Sequence, residues 1–361
     1  MRLNVLMSVL FLLPHAAGAG PLPAPELVGE IALPSGLSLG GIPFGAISGL
    51  SYDPKSGAFF ALSEPDGDHG APRVYRLAVS VKDGRFAGLD IAGEEDLPAP
   101  GQSGWAPGGS DGGGIAVDPR EGAVFWSVEA ADGSPALYVL PRGAAHPRAL
   151  SLPPAFLPRG GRAHGTRAGQ GFEGLTLNRD AHLLVGATGS ALRQDGPEAS
   201  FTAPSPIRLL ITDSRSLKPV AQYLYLTDTI PARPATIGGR AANGLSALAS
   251  LPDGRLVAVE RAEAEGSGSN IRFYVVSTVG ATNVNGQDRL DLAHDLPVQK
   301  DLWFALRPGM TGITADDLEG LAFGPVIDGK DTLLTVSDNH FARHRATRFK
   351  LFEIDRPDHT N

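Results

Sequence analysis

The chain of 361 residues contains no cysteine. Disulfides, thiolate metal sites and cysteine nucleophiles are therefore excluded together. Beyond the first 13 residues no apolar run approaches the roughly 20 residues that span a bilayer. Apolar residues at helical spacing are almost lacking too, which argues against a parallel sheet wrapped in helices. Lysine is scarce, 6 residues beside 25 arginines. The formal net charge is −8, and no stretch mixes basic with aromatic residues, so nucleic acid is not an expected partner. Neither a Walker loop nor a dinucleotide-binding glycine pattern occurs.

What the chain has in quantity is turn chemistry. Gly (46) and Pro (30) make up about a fifth of it, against about an eighth in average usage. Hydrophobic residues stand at 42%, enough for a core, so disorder is excluded, and no Gly-X-Y period is present. Residues 1–19 read as a secretory signal: Arg2 supplies the positive start, 3–13 are almost wholly apolar, Pro14 breaks the run, and Ala17-Gly18-Ala19 forms a cleavage pattern. The expected mature protein is exported, periplasmic or extracellular. It has a lead-in over 20–26, one domain over 27–355 and a tail over 356–361.

A repeat runs through the domain. Ser48-Gly49-Leu50, Gly113-Gly114-Ile115, Glu173-Gly174-Leu175, Asn243-Gly244-Leu245 and Glu319-Gly320-Leu321 each open an apolar strand, followed by a turn and a second apolar strand. Turns such as Asp53-Pro54 and Asp253-Gly254 combine a preset φ with a residue free to take φ > 0. Further strand-like runs follow several hairpins, so three to four strands per period predict the blades of a β-propeller. Five blades are expected, with six as the alternative if a degenerate blade lies in 73–100 or 136–162. A strand over 27–33 and another over 348–354 predict closure of the ring by the N-terminal strand, which leaves no open edge.

In a propeller the starts of the innermost strands meet at one mouth. Glu173, Asn243 and Glu319 stand at matched places, with Asp111 near the second, and Glu64, Glu129, Glu260 and Asp338 end the second strands. Oxygen donors of this kind suit a hard cation, since Ca²⁺ takes six to eight oxygens. The expected metal set is Asp111, Glu173, Asn243, Glu319 and Asp338, holding a divalent cation, Ca²⁺ first. Glu260 is the expected general base, with Arg261 orienting it or binding an anion and Glu319 sharing in the chemistry. His340, Arg343 and Asn339, in the basic stretch after the last acid, form the expected substrate-binding group. Gly108-Gly109-Ser110-Asp111-Gly112 matches G-x-S-x-G, but a strand and not a helix is predicted after it, so Ser110 is not read as a nucleophile.

Phe172-Glu173-Gly174-Leu175, Val259-Glu260-Arg261, Leu318-Glu319-Gly320-Leu321 and Ser337-Asp338-Asn339-His340-Phe341 together resemble the phytase-like domain family, described by esterase-like activity. The resemblance covers nearly all of 27–354. It implies an exported bacterial propeller. His340 stands where that family more usually has Asn, and Thr188-Gly189-Ser190 ends a repeat where an acid is commoner. The function expected is hydrolysis of a small-molecule ester or phosphoester at the channel mouth by a monomer. The alternatives are a non-catalytic binding propeller and a sugar-lactone hydrolase.

Overall fold

The structure of the protein, a computed structural model, describes residues 20–64, 71–100, 105, 110–130, 133–160, 163–178, 180, 182–310 and 317–356. The expected signal segment lies outside the described residues. Five four-stranded antiparallel sheets stand in a ring. Blade I holds Ile47–Asp53, Ala58–Ser63, Arg73–Lys82 and Arg85–Asp96. Blade II holds Ser110–Asp118, Ala123–Ala130, Pro135–Leu140 and Arg148–Ala149. Blade III holds Phe172–Asn178, Leu183–Thr188, Pro206–Asp213 and Lys218–Leu226. Blade IV holds Ala241–Ser250, Leu256–Ala264, Gly268–Ser277 and Gln299–Leu306. Blade V holds Leu318–Phe323, Asp331–Ser337 and Thr347–Ile354, and its outermost strand is the N-terminal Glu26–Leu33.

The closure is as expected: Glu26 faces Glu353 and Leu33 faces Thr347 across an antiparallel ladder. The six-blade alternative falls, because the stretches in question supply the third and fourth strands of blades I and II. Arg85–Asp96, Arg148–Ala149 and Gln299–Leu306 were not anticipated. They are outer strands with much of their surface in water, so they carry little apolar patterning. Turn chemistry acts as the sequence suggests. Asp53 accepts the Lys55 N–H at 2.9 Å and the Ser56 hydroxyl at 2.7 Å, and Gly57 closes the turn at φ 72°.

The core lies between blades. Val185, Ile207 and Tyr225 of blade III pack on Leu245, Leu248 and Ala258 of blade IV, and Ile47 and Phe59 of blade I pack on Leu334 and Phe349 of blade V. Every neighbouring pair of blades shares such a cluster. Each buried Leu, Ile or Phe contributes about 1.5–3 kcal/mol, so the ring is fastened blade by blade.

The repeated glycine marks where inner strands touch. A Cβ on Gly49 would stand 2.9 Å from the Ile115 nitrogen of blade II, and one on Gly114 2.6 Å from the Leu175 nitrogen of blade III. Around this glycine the pairing of first and second strands slips. Ile47 faces Ser63 and Gly49 faces Leu62, so Ser48 is a bulge. Glu173 and Glu319 are bulges in the same way. Blade IV differs. Asn243 and Gly244 sit in regular register opposite Ala262 and Arg261, and the slip falls between Leu245 and Ala247. The residue of blade IV matched to Glu173 and Glu319 is therefore Ser246, and the true repeat there reads Leu245-Ser246-Ala247-Leu248.

Candidate functional site

A β-bulge bends its strand and re-aims a side chain. Here the bulges turn Glu173, Ser246 and Glu319 toward one end of the central channel, where a cavity of about 400 Å³ opens. Six carboxylates line it, from Glu64, Glu173, Glu198, Glu263, Glu319 and Asp338, against Arg261 and His340. The far end of the channel is narrow. There Val117 N–H donates to Ser51 Oγ (3.0 Å) and Ser250 N–H to Thr176 Oγ1 (2.9 Å), stitching inner strands together.

On the blade V side, ligating atoms of Asp317, Glu319 and His340 lie within 4.8 Å of one another. His340 Nε2 reaches Asp317 Oδ2 at 2.5 Å, and its Nδ1 reaches Asp338 Oδ2 at 2.7 Å. Asp338 is buried and thus orients the imidazole from behind. The backbone serves the same end. Asp338 Oδ1 accepts the His340 N–H at 2.8 Å, and Asn339 Oδ1 accepts the Phe341 N–H at 3.0 Å. These two Asx turns hold His340 and Phe341 at φ 47° and 51°, a conformation that β-carbon-bearing residues seldom adopt. Hydrogen bonding to Asp338 raises the imidazole above its ordinary pKa, against the opposing effect of burial.

Arg261 lies across the mouth. Its Nη1 meets Glu319 Oε1 at 2.7 Å, contacts Asp317, and stands 3.6 Å from Glu263. Arg345 adds a second guanidinium to Asp317 at 3.3 Å. Burial pushes the Glu319 carboxyl above the usual carboxylate range, with Arg261 pulling the other way. Two acceptors remain open in the cavity wall. Ser246 Oγ and Asn243 Oδ1 are buried without a hydrogen-bond partner, in residues 4% and 5% exposed.

Several expected roles change. Glu260 does not reach the cavity, because Glu260 and Arg261 point to opposite faces of their strand. Its fully buried carboxylate accepts from Tyr225 (2.8 Å), Asn243 (2.8 Å), the Asp228 N–H (2.8 Å) and Lys300 (2.5 Å). A carboxylate so saturated and dry is an anchor, not a general base. Asn243 spends its amide nitrogen on that anchor and on Asp228 O, and it is not the ring position its sequence suggested. Asp338 lines the cavity and bonds His340 Nδ1, and His340 clusters with Asp317 and Glu319, three groups that could hold a metal ion.

Asn339 is buried, and its Oδ1 also accepts the Ala46 N–H at 2.9 Å, tying blade V to blade I. Arg343 is exposed and is not among the residues lining the cavity; its carbonyl accepts the Ser35 hydroxyl at 2.5 Å. The side chain of Asp111 lies outside the described residues. Asp317 was missed by sequence reasoning, although it stands two residues before Glu319, and only the fold brings it onto His340.

A family model described as "Phytase-like: Esterase-like activity of phytase" matches residues 42–341. The chain belongs to the phytase-like family. No curated protein matches it. Among solved structures it is similar to a protein of unknown function from Dyadobacter fermentans, at 12% identity over 92% of this chain and 100% of the other, TM-score 0.43. It is also similar to the β-fructofuranosidase of Schwanniomyces occidentalis (11% identity, 93% and 58% covered, TM-score 0.39) and to AofleA of Arthrobotrys oligospora (10%, 91% and 86%, TM-score 0.36). In this phytase-like chain both Glu-Gly-Leu motifs are the cavity-facing bulges. The Ser-Asp-Asn-His-Phe motif is the Asx-turn pair that carries His340 and locks the ring.

Proposed function

We propose that the protein is an exported, metal-assisted hydrolase of small-molecule ester bonds, working in the cavity at the channel mouth. One observation carries the reading: Asp317, Glu319 and His340 converge, Glu319 and His340 lining the cavity, with Asp338 bonded to the imidazole from behind. A carboxylate behind a histidine is the usual outer support of a metal ligand. The donor chemistry fits a divalent cation. Two carboxylates and an imidazole form the cluster, and the Ser246 and Asn243 oxygens stand open in the same wall. The carboxylates suit Ca²⁺ or Mn²⁺, and the imidazole suits Zn²⁺. The cation would polarise the substrate oxygen and lower the pKa of water.

The chain's own groups do the rest. Asp317 and Glu319 hold the charge in place, Arg261 donates to the substrate oxygen, and Glu173 takes the proton of the attacking water. Charge orders the substrates. Six carboxylates against one guanidinium and one imidazole repel a polyanion, so neutral carboxylic esters and lactones precede phosphate esters.

The test is a panel of aryl esters, lactones and phosphate monoesters, assayed on chelator-stripped protein with and without Ca²⁺, Mn²⁺ or Zn²⁺. Cation-dependent turnover of a neutral ester is expected, and it should vanish in Glu319→Gln. A second reading, a non-catalytic binding propeller, draws on the full pairing of Glu319 and Asp317 with Arg261. A flat panel, with a cation still raising Tm, would select it.

A further inference from the structure

Arg261 occupies the ground a cation would need. Among the described residues it is the one guanidinium or ammonium lining the cavity, and it is bonded to two of the three clustered ligands, Glu319 and Asp317. The fold leads it there. Arg261 pairs in register with Gly244, which has no side chain on that face, so the arginine stem runs unopposed from blade IV to blade V. Its partners are not left helpless without it. Asp317 keeps Arg345 and His340. Nor does the guanidinium satisfy the whole cavity, since Ser246 Oγ, 96% buried at the bulge position matched to Glu173 and Glu319, has no partner. An oxygen acceptor of that kind, beside carboxylates already engaged, marks space for a ligand that the arginine does not reach.

We infer that Arg261 is a tethered counter-ion that neutralises the carboxylates when the cation is absent, competes with it for Glu319 and Asp317, and so sets the affinity of the site. The inference rests on the metal-assisted reading given under Proposed function. Glu319 Oε1 cannot accept the 2.7 Å bond from Nη1 and stay fully committed to a divalent ion. Two positive charges at one carboxylate also repel each other, and in a half-buried mouth that repulsion is little screened. Cation entry therefore moves the guanidinium off Glu319 and frees its donors for a substrate oxygen. A lysine would compete less, because its ammonium is a compact, strongly hydrated charge that loses more on leaving water.

Isothermal titration of chelator-stripped protein with Mn²⁺ and with Ca²⁺ tests this, alongside Tm with and without each ion. Relative to the wild type, Arg261→Met should bind at least one of the ions about ten-fold or more tightly, and that ion should raise its Tm further. Arg261→Lys should fall between the two. Should the Met variant fail to fold, the Lys variant decides alone, and a Kd equal to or weaker than wild type overturns the proposal. If the wild type binds a cation and Arg261→Met binds it no better, the counter-ion role fails and the metal-assisted reading stands. If neither protein binds, both fail.

Discussion

Glu260 of blade IV faces blade III and Glu319 of blade V faces blade IV, each with an arginine close by, and they meet opposite fates. Glu260 is itself paired in its ladder, with Leu245 on one side and Arg272 on the other. Its side chain enters a dry pocket with Tyr225, Asn243 and Lys300, where every lone pair is taken. Glu319 belongs to a bulge, so its side chain leaves the ladder and faces the cavity. The lesson is that on the innermost strands a bulge, and not the residue type, aims an acid into the cavity. Glu129 is a second acid paired in a ladder: near the end of its strand it faces Asp111 and Pro135, is buried, and receives the Gly169 N–H at 2.6 Å.

The sharpest break of this contrast is Glu260→Ala. Lys300 and Arg272, both largely shielded from water, would be left with Asp228 alone, and removing one partner of a buried ion network costs about 3–5 kcal/mol. A fall of that size in the denaturant-derived stability is expected, and an unchanged midpoint would erase the distinction. Glu319→Gln should do the reverse. Burial already disfavours its charge, and Arg261 keeps Asp317 and Glu263. Stability should stay within about 1 kcal/mol of wild type, while cation-dependent ester turnover drops by about 10²-fold or more.

Asn339→Ala sharpens the comparison at the rim. The Ala46 and Phe341 N–H groups lose their acceptor, a cost of about 1–3 kcal/mol, and cation affinity should weaken because His340 is no longer held in its turn. The smallest effect is in pH. Burial would raise the Asp228 carboxyl, but hydrogen bonds from Lys300 and Tyr274 and the charge of Arg272 outweigh it and hold the group below its ordinary value. The stability this adds is complete above the unfolded value near 4 and is lost as pH falls through the lower folded value. Urea midpoints should therefore fall below about pH 4 in the wild type, and less steeply in Asp228→Asn.

Much of the fold was legible in the residues. Turn-forming Asp, Pro and Gly between paired apolar runs located the hairpins of every blade, and the two leftover strands, near Leu27 and Ile354, foretold the closure. Exposed outer strands such as Arg85–Asp96 were not legible, since a strand that buries little leaves little pattern. Of the site, Glu173, Glu319 and Arg261 were found at the mouth. Asn243 was placed there for the wrong reason, its Asn-Gly-Leu having been matched to the Glu-Gly-Leu of blades III and V. Ser246 was missed because it looks like any strand serine.

The chain alone determined that this is an all-β ring in which glycine recurs wherever neighbouring inner strands press together, because close packing and turn geometry are local demands that residues satisfy one at a time. Which acids face the cavity was decided only by the tertiary structure. Side-chain direction along a strand alternates, and a single bulge reverses it, so whether Glu260 or Glu319 meets solvent depends on a register that exists only once the strands are paired.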